Sequence, residues 1–325
     1  MPHKVALAWE GGGAKGAFGV GVIKALDEEL DSQVWFDAVA GSSVGGLNGI
    51  LAAVREIEKL EKIWKNLNSK KIYQFNLLSL FKKGLYTARP LQKLLEKEIT
   101  EELIEKIKNK KIFLTGLKLE TNELVLFSKF KTRQELIHAL LAASAIPAIF
   151  EPQKTEKEDY LIDGALKYHL PLWPLLNEGY QKIVAIIHEP LNLEDWTGIK
   201  KEIEYQPVRS LKDFINRFNE IFVRNLTYKD LEKVLLAKIF KEKLKEISIA
   251  ILKEIDNKKT REKIEKLLTE IDIPCAAELV IVSPPGELNK VLDFSKKSIQ
   301  KAIDLGYKIG KEKIPEVKKL FGLEN

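Results

Sequence analysis

Two glycine clusters, each placed directly after a short apolar run, constrain this chain more than any other feature. EGGGAKGAFGVG (residues 10–21) follows KVALAW (4–9), and the glycines of VAGSSVGGLNG (39–49) close the run VWFDAVA (34–40). A short apolar run that stops at glycines reads as a buried strand. After the first cluster, Phe18, Val22, Ala25 and Leu26 recur at helical spacing, which predicts a helix from Gly16 to about Leu30. A second helix is expected from Val44 to about Val54. Strand, glycine loop, helix, strand, serine turn and helix make a compact α/β unit built on a parallel sheet.

The second cluster holds two adjacent serines. Only Gly41, Ser43 and Gly45 satisfy G-x-S-x-G, so Ser43 is the candidate nucleophile and Ser42 its neighbour. Small residues two places either side are needed because backbone passes very close to such a turn. At the carboxyl end of a parallel sheet, Ser43 would also face the positive end of the following helix.

The first cluster has three possible uses. Gly11, Gly13 and Gly16 satisfy the dinucleotide pattern G-x-G-x-x-G. That use wants an acidic residue at the tip of the second strand, where this chain has Gly41-Ser42-Ser43, with Asp37 inside the strand. A phosphate-binding P-loop wants a terminal G-K-[ST], which is absent. The remaining use is an oxyanion hole, in which backbone N–H groups face the charge of a tetrahedral intermediate.

A third segment, LIDGALKYHLP (161–171), places Asp163 at the end of a short strand, with Gly164 and Ala165 leaving room beside it. A partly desolvated carboxylate there could take a proton from a serine. An Asx turn, in which Asp163 bonds its own backbone, is the plainer alternative.

Farther along, Pro90 opens a helix in GLYTARPLQKLLEKEI. Strands are expected in KIFLTGLKLE (111–120), ELVLFSKF (123–130), KIVAIIHEP (182–190) and AELVIVSPPG (277–286), with a helix from about Arg133 to Ala143. The prediction is an α/β fold, a mostly parallel central sheet flanked by helices, with residues 1–325 as one domain. Residues 210–271 differ: long helical periodicity with almost no Gly or Pro predicts two to four amphipathic helices inserted before the last strand. They pack on the sheet or form a lid or membrane-facing cap.

Composition narrows the function classes. With 325 residues, 45% hydrophobic and 31% charged, the chain is globular. The single cysteine, Cys275, forbids an intramolecular disulfide and suits a reducing, cytoplasmic compartment. The opening residues do not read as a signal peptide, and the most apolar stretch, ELIHALLAASAIPAIF, is interrupted by His138, Ser144 and Pro147. The net charge of +6 is spread over interleaved Lys and Glu. That suits a solvated, ion-paired surface or weak, peripheral attraction to an anionic membrane, and no nucleic-acid partner is expected. Abundant Lys, Glu and Ile hint at a thermophilic source.

Taken together and in order, GGGAKG, GSSVG and DGA resemble the patatin-like phospholipase family. The likeness extends to GLYTARPL, to ASAIPAIFEP and to LDFSKKSIQKAIDLGY, and leaves out the stretch around 210–271. The resemblance implies a three-layer fold and a serine acyl hydrolase acting on phospholipids or other acyl-ester lipids through a Ser–Asp dyad, without cofactor. Ser43 would be the nucleophile and Asp163 its base. Gly11, Gly12 and Gly13 would supply the oxyanion hole, with Lys15, Gly16 and Gly164 close to substrate. One departure is His169, where the family pattern D-G-[GA]-x-x-x-N-x-P has Asn.

Histidines offer a rival. Of His3, His138, His169 and His188, the last two fit the order Ser–acid–His of an α/β-hydrolase triad with Ser43 and Asp163. The early glycine loop and the short Asp163–His169 separation oppose it, and His188 reads as structural. No histidine pair has metal-ligand spacing, so no metal is expected. A non-catalytic nucleotide binder using the glycine loop is the competitor from another class. Ser144 reads as a helix-end residue before Pro147, with Ile146, Ile149 and Phe150 lining an acyl channel.

Overall fold

A computed structural model describes residues 4–75, 84–155, 159–191, 211–255, 257–269 and 276–323. Cys275 and His3 lie outside these described residues, as do the ends of the 210–271 stretch.

The chain runs through β1 (Val5–Trp9), α1 (Gly16–Glu29), β2 (Ala38–Gly41), α2 (Val44–Ala53), α3 (Ile57–Lys65), α4 (Ser69–Ile72), β3 (Gln74–Phe75) and β4 (Gly84–Thr87). Next come α5 (Arg89–Glu98), α6 (Glu101–Ile107), β5 (Lys111–Lys118), β6 (Leu124–Phe127), α7 (Arg133–Ala143), β7 (Ala148–Phe150), β8 (Gln153–Lys154) and β9 (Tyr160–Asp163). The described residues end with α8 (Leu172–Asn177), β10 (Lys182–Ile186), α9 (Leu211–Lys253), α10 (Lys258–Thr269), β11 (Glu278–Val282) and α11 (Lys296–Phe321).

The central sheet has the order β11-β10-β1-β2-β5-β9-β8, with β6 also paired to β5. From β11 to β5 every pairing is parallel, and β6, β8 and β9 join antiparallel. The sheet is therefore mostly parallel and flanked by helices, as the alternation of elements predicts. β3, β4 and β7 form a separate three-stranded sheet.

Successive side chains of a strand point to opposite faces, and the two faces differ in bulk. Val5, Leu7 and Trp9 of β1 join the larger core with α1, α2, α3, α7 and α11. Ala6, Ala8, Ala38, Ala40 and Ala185 face the other way, and this alanine-rich surface receives Leu172 and Leu175 of α8 and Leu231 and Val234 of α9.

On the larger face α1 and α11 cross at glycine. A Cβ on Gly306 would lie 1.9 Å from the Phe18 carbonyl oxygen, and one on Gly21 would lie 2.0 Å from that of Ile303. The second strand is shorter than its apolar run suggests. It begins at Ala38, and just before it the Asp37 carboxylate accepts a hydrogen bond from the Val5 N–H at 3.0 Å.

Candidate active site

The segment after β2 positions Ser43 through close backbone packing. A Cβ on Gly45 would stand 2.2 Å from the Trp9 carbonyl oxygen, and one on Gly41 would stand 2.4 Å from the Gly45 carbonyl carbon. Both glycines are thus required by distance, as the pentapeptide spacing implies. Ser43 itself has φ 50° and ψ −126°, a sparsely populated conformation for a residue with a Cβ. It directly precedes α2, so its hydroxyl stands at a helix N-terminus.

The two serines separate cleanly. Ser42 is fully buried and donates to the Tyr168 carbonyl at 2.7 Å while sharing a 2.7 Å bond with the Thr115 hydroxyl. Ser43 makes neither of these bonds, and its hydroxyl lies close enough to the Asp163 carboxylate to favour the ionised form.

Asp163 ends β9, which pairs with β5 so that Asp163 lies opposite Gly116. Gly164 follows because a Cβ there would fall 2.5 Å from the Thr115 carbonyl carbon. One carboxylate oxygen accepts the Ala165 N–H at 2.8 Å, so the Asx turn and the contact with Ser43 coexist. Burial raises the Asp163 pKa to about 7, against the lowering effect of the Ser43 and Ala165 hydrogen bonds.

The glycine loop divides in its donors. Of the three expected oxyanion donors, Gly11 has its N–H engaged by the His169 carbonyl at 3.1 Å. The N–H groups of Gly12 and Gly13 bond no acceptor among the described residues. Both have positive φ, 138° and 55°, which a side chain would strain.

Three further residues are expected close to substrate. The Lys15 ammonium forms a buried ion pair with Glu189. Gly16 serves packing, since a Cβ there would come within 2.7 Å of Val44, and Gly164 packs on Thr115 as described.

Beneath the loop lies a polar cluster that the sequence does not announce. Glu10 is fully buried and accepts hydrogen bonds from the His188 N–H and from the Thr227 hydroxyl on α9. Burial above all, with Glu189 nearby, raises its pKa to about 8. Asp230, also on α9, accepts the Leu170 N–H at 2.9 Å, and burial raises its pKa to about 7. The partners are separated by 60 to 217 positions, so no local signal could have paired them.

Neither histidine completes a triad. His188 is engaged at both ring nitrogens, by Trp9 and by the Gly11 carbonyl, whereas neither nitrogen of His169 has a hydrogen-bond partner and its Nε2 lies 3.8 Å from a Glu10 carboxylate oxygen. Burial lowers the pKa of His169 to about 3 and of His188 to about 4, so both are neutral near pH 7.

Ser43 and Gly13 stand on the wall of an apolar pocket with a cavity volume of about 120 Å³. Side chains of α2, α3, α5 and α7 line it, among them Leu47, Ile63, Leu94 and Leu140. Ile146 and Phe150 belong to this lining, whereas Ile149 lines the neighbouring groove with Tyr86 and Leu288. Ser144 ends α7, as expected, and its hydroxyl has no partner. Among the described residues, none from α9 or α10 lines the pocket.

The chain is similar to several known proteins. Uncharacterised NTE family proteins of Mycobacterium bovis and Mycobacterium tuberculosis are 26% identical over 183 residues, covering 56% of this chain. The chain spans about half the length of these relatives, 48%. Among solved structures, VipD from Legionella pneumophila aligns with 99% of this chain and 67% of its own, at 15% identity and a TM-score of 0.46. The family model for patatin-like phospholipases matches residues 7–176, a span that runs from β1 through the serine turn and the Asp163 strand to α8. By that match over more than half its length, this chain belongs to the patatin-like phospholipase family.

Proposed function

We propose that the protein is a lipid acyl hydrolase that cleaves fatty-acyl esters through a Ser43–Asp163 dyad. The observation that carries this reading is the strained Ser43, on the wall of an apolar pocket, beside a desolvated Asp163. Ser43 Oγ attacks the ester carbonyl as its proton passes to Asp163. The N–H groups of Gly12 and Gly13 receive the oxyanion. Asp163 then returns the proton to the departing alcohol, leaving an acyl-enzyme. A water that gives its proton to the same carboxylate hydrolyses this intermediate. Burial favours the mechanism, because a carboxylate at the usual pKa is too weak a base for a serine hydroxyl.

The pocket lining selects an apolar acyl chain, and such substrates reside in bilayers, so transient contact with a membrane surface belongs to the proposal. The triad alternative loses support because neither histidine bonds Ser43 or Asp163 among the described residues. The nucleotide alternative loses support because the loop's lysine is neutralised by Glu189.

Hydrolysis of a long-chain phospholipid and of a monomeric p-nitrophenyl ester tests the dyad. Ser43→Ala should abolish turnover, and Asp163→Asn should lower kcat by about a thousandfold. His169→Ala should retain most of the wild-type rate. Full loss with His169→Ala in a protein that remains folded would favour the triad.

A further inference from the structure

Two adjacent glycines are a poor foundation for an oxyanion hole, because the peptide between them is free to flip and so reverse its N–H. The Gly11–Gly12 peptide is held by a side chain. Its carbonyl oxygen lies 2.7 Å from His188 Nδ1. His188 Nε2 lies 3.2 Å from Trp9 Nε1, and an indole nitrogen can only donate. Nε2 therefore accepts, the ring proton resides on Nδ1, and Nδ1–H donates to Gly11. No peptide bond in the described residues is cis, so the Gly12 N–H points away from the Gly11 carbonyl that His188 holds.

The flanking groups are also fixed. The Gly11 N–H goes to the His169 carbonyl at 3.1 Å, and the Gly12 carbonyl accepts the Lys15 N–H at 3.1 Å. Once these bonds are made, the Gly12 and Gly13 N–H groups are left over as donors.

We propose that His188, set in its Nδ1–H tautomer by Trp9, is a positioning residue that locks the Gly11–Gly12 peptide and so aims the oxyanion donor. This deepens the acyl-hydrolase reading and rests on it. His188 is fully buried, and its low pKa keeps the ring neutral, as the tautomer requires. A protonated ring would set a second donor against the Trp9 N–H.

The test uses steady-state kinetics on a monomeric p-nitrophenyl ester with Ser43→Ala, His188→Leu and His188→Asn. Asn keeps an N–H near the Nδ1 position, whereas Leu keeps none. His188→Leu should lower kcat about a hundredfold with KM changed by less than about threefold, and His188→Asn should recover at least about tenfold of that loss. A His188→Leu enzyme with wild-type kcat, alongside an inactive Ser43→Ala, overturns the positioning role and leaves the hydrolase reading intact. An active Ser43→Ala overturns both. Because His188→Leu removes a buried partner and can fail to fold, the wild-type protein supplies a second readout. Long-range 1H–15N spectra of 15N-histidine-labelled protein at pH 7 should show one of its four histidines, assigned with His188→Asn, as a neutral Nδ1–H ring. An Nε2–H ring or an imidazolium at that position overturns the proposal.

Discussion

Asp163 carries the most consequential electrostatics in the molecule. Its carboxylate is removed from water but retains two hydrogen-bond donors, Ser43 and Ala165, so its basicity rises without loss of orientation. The proposed base works only when ionised. With its pKa raised to about 7, kcat/KM should rise as pH increases through 7 and level off above it. A profile flat from pH 5 to 9 on a soluble ester would contradict the assignment. At this scale much was legible in the sequence: Ser43 was singled out over Ser42 by glycine spacing alone, and the structure supplies the distances behind that spacing. The roles of Gly11 and Lys15 were not legible. Gly11 spends its N–H on the His169 carbonyl and Lys15 its charge on Glu189, 158 and 174 positions away, and only tertiary folding creates such pairs.

Elements are legible where their pattern is local. β1, α1, α2 and α7 fall close to their expected bounds because each has a clean apolar period or a glycine stop. The 210–271 stretch resolves into two helices among the described residues, within the expected two to four. The course of α9 was not foreseeable. It places Thr227 against Glu10 at the carboxyl end of β1, and farther along Lys238 and Lys241 line one groove with Gln181 and Lys182 at the start of β10. The crossing of α1 and α11 depends on glycines whose purpose shows only when the helices meet. Gly306→Ala forces a methyl group into the Phe18 carbonyl and should destabilise the protein by about 3 kcal/mol or more, read from denaturant unfolding. Gly286→Ala, with nothing within 4 Å of the added carbon, is the matched control and should change stability by less than about 0.5 kcal/mol. Equal effects from the two would contradict the packing account.

Across the whole molecule, the buried ionisable groups set opposing pH windows. Glu10, Asp163 and Asp230 have pKa values raised to about 8, 7 and 7 from ordinary values of 4.5, 3.8 and 3.8. The folded state binds their protons more tightly than the unfolded state. Their contribution is full below the unfolded pKa values and is lost as pH rises through 7 to 8. His169 and His188 are lowered from 6.5 to about 3 and 4, so their contribution is full above 6.5 and is lost as pH falls through 4 to 3. Thermal unfolding should therefore show a higher Tm at pH 6 than at pH 9, and Glu10→Gln should reduce that difference. A Tm that climbs steadily to pH 9 would contradict the burial of these carboxyls as neutral acids. Sequence alone cannot reveal such windows, because Glu10 looks like the edge of a glycine loop until Thr227 and His188 close over it.

The central claim is that Ser43 is an activated nucleophile, and the most direct measurement is fluorophosphonate labelling of the wild-type protein with the modified peptide mapped by mass spectrometry. These reagents react with serines that have both a base and an oxyanion site. The account predicts an adduct on Ser43, strongly reduced in Asp163→Asn and absent from Ser42. A folded protein that forms no adduct at Ser43, with and without lipid vesicles, would contradict it.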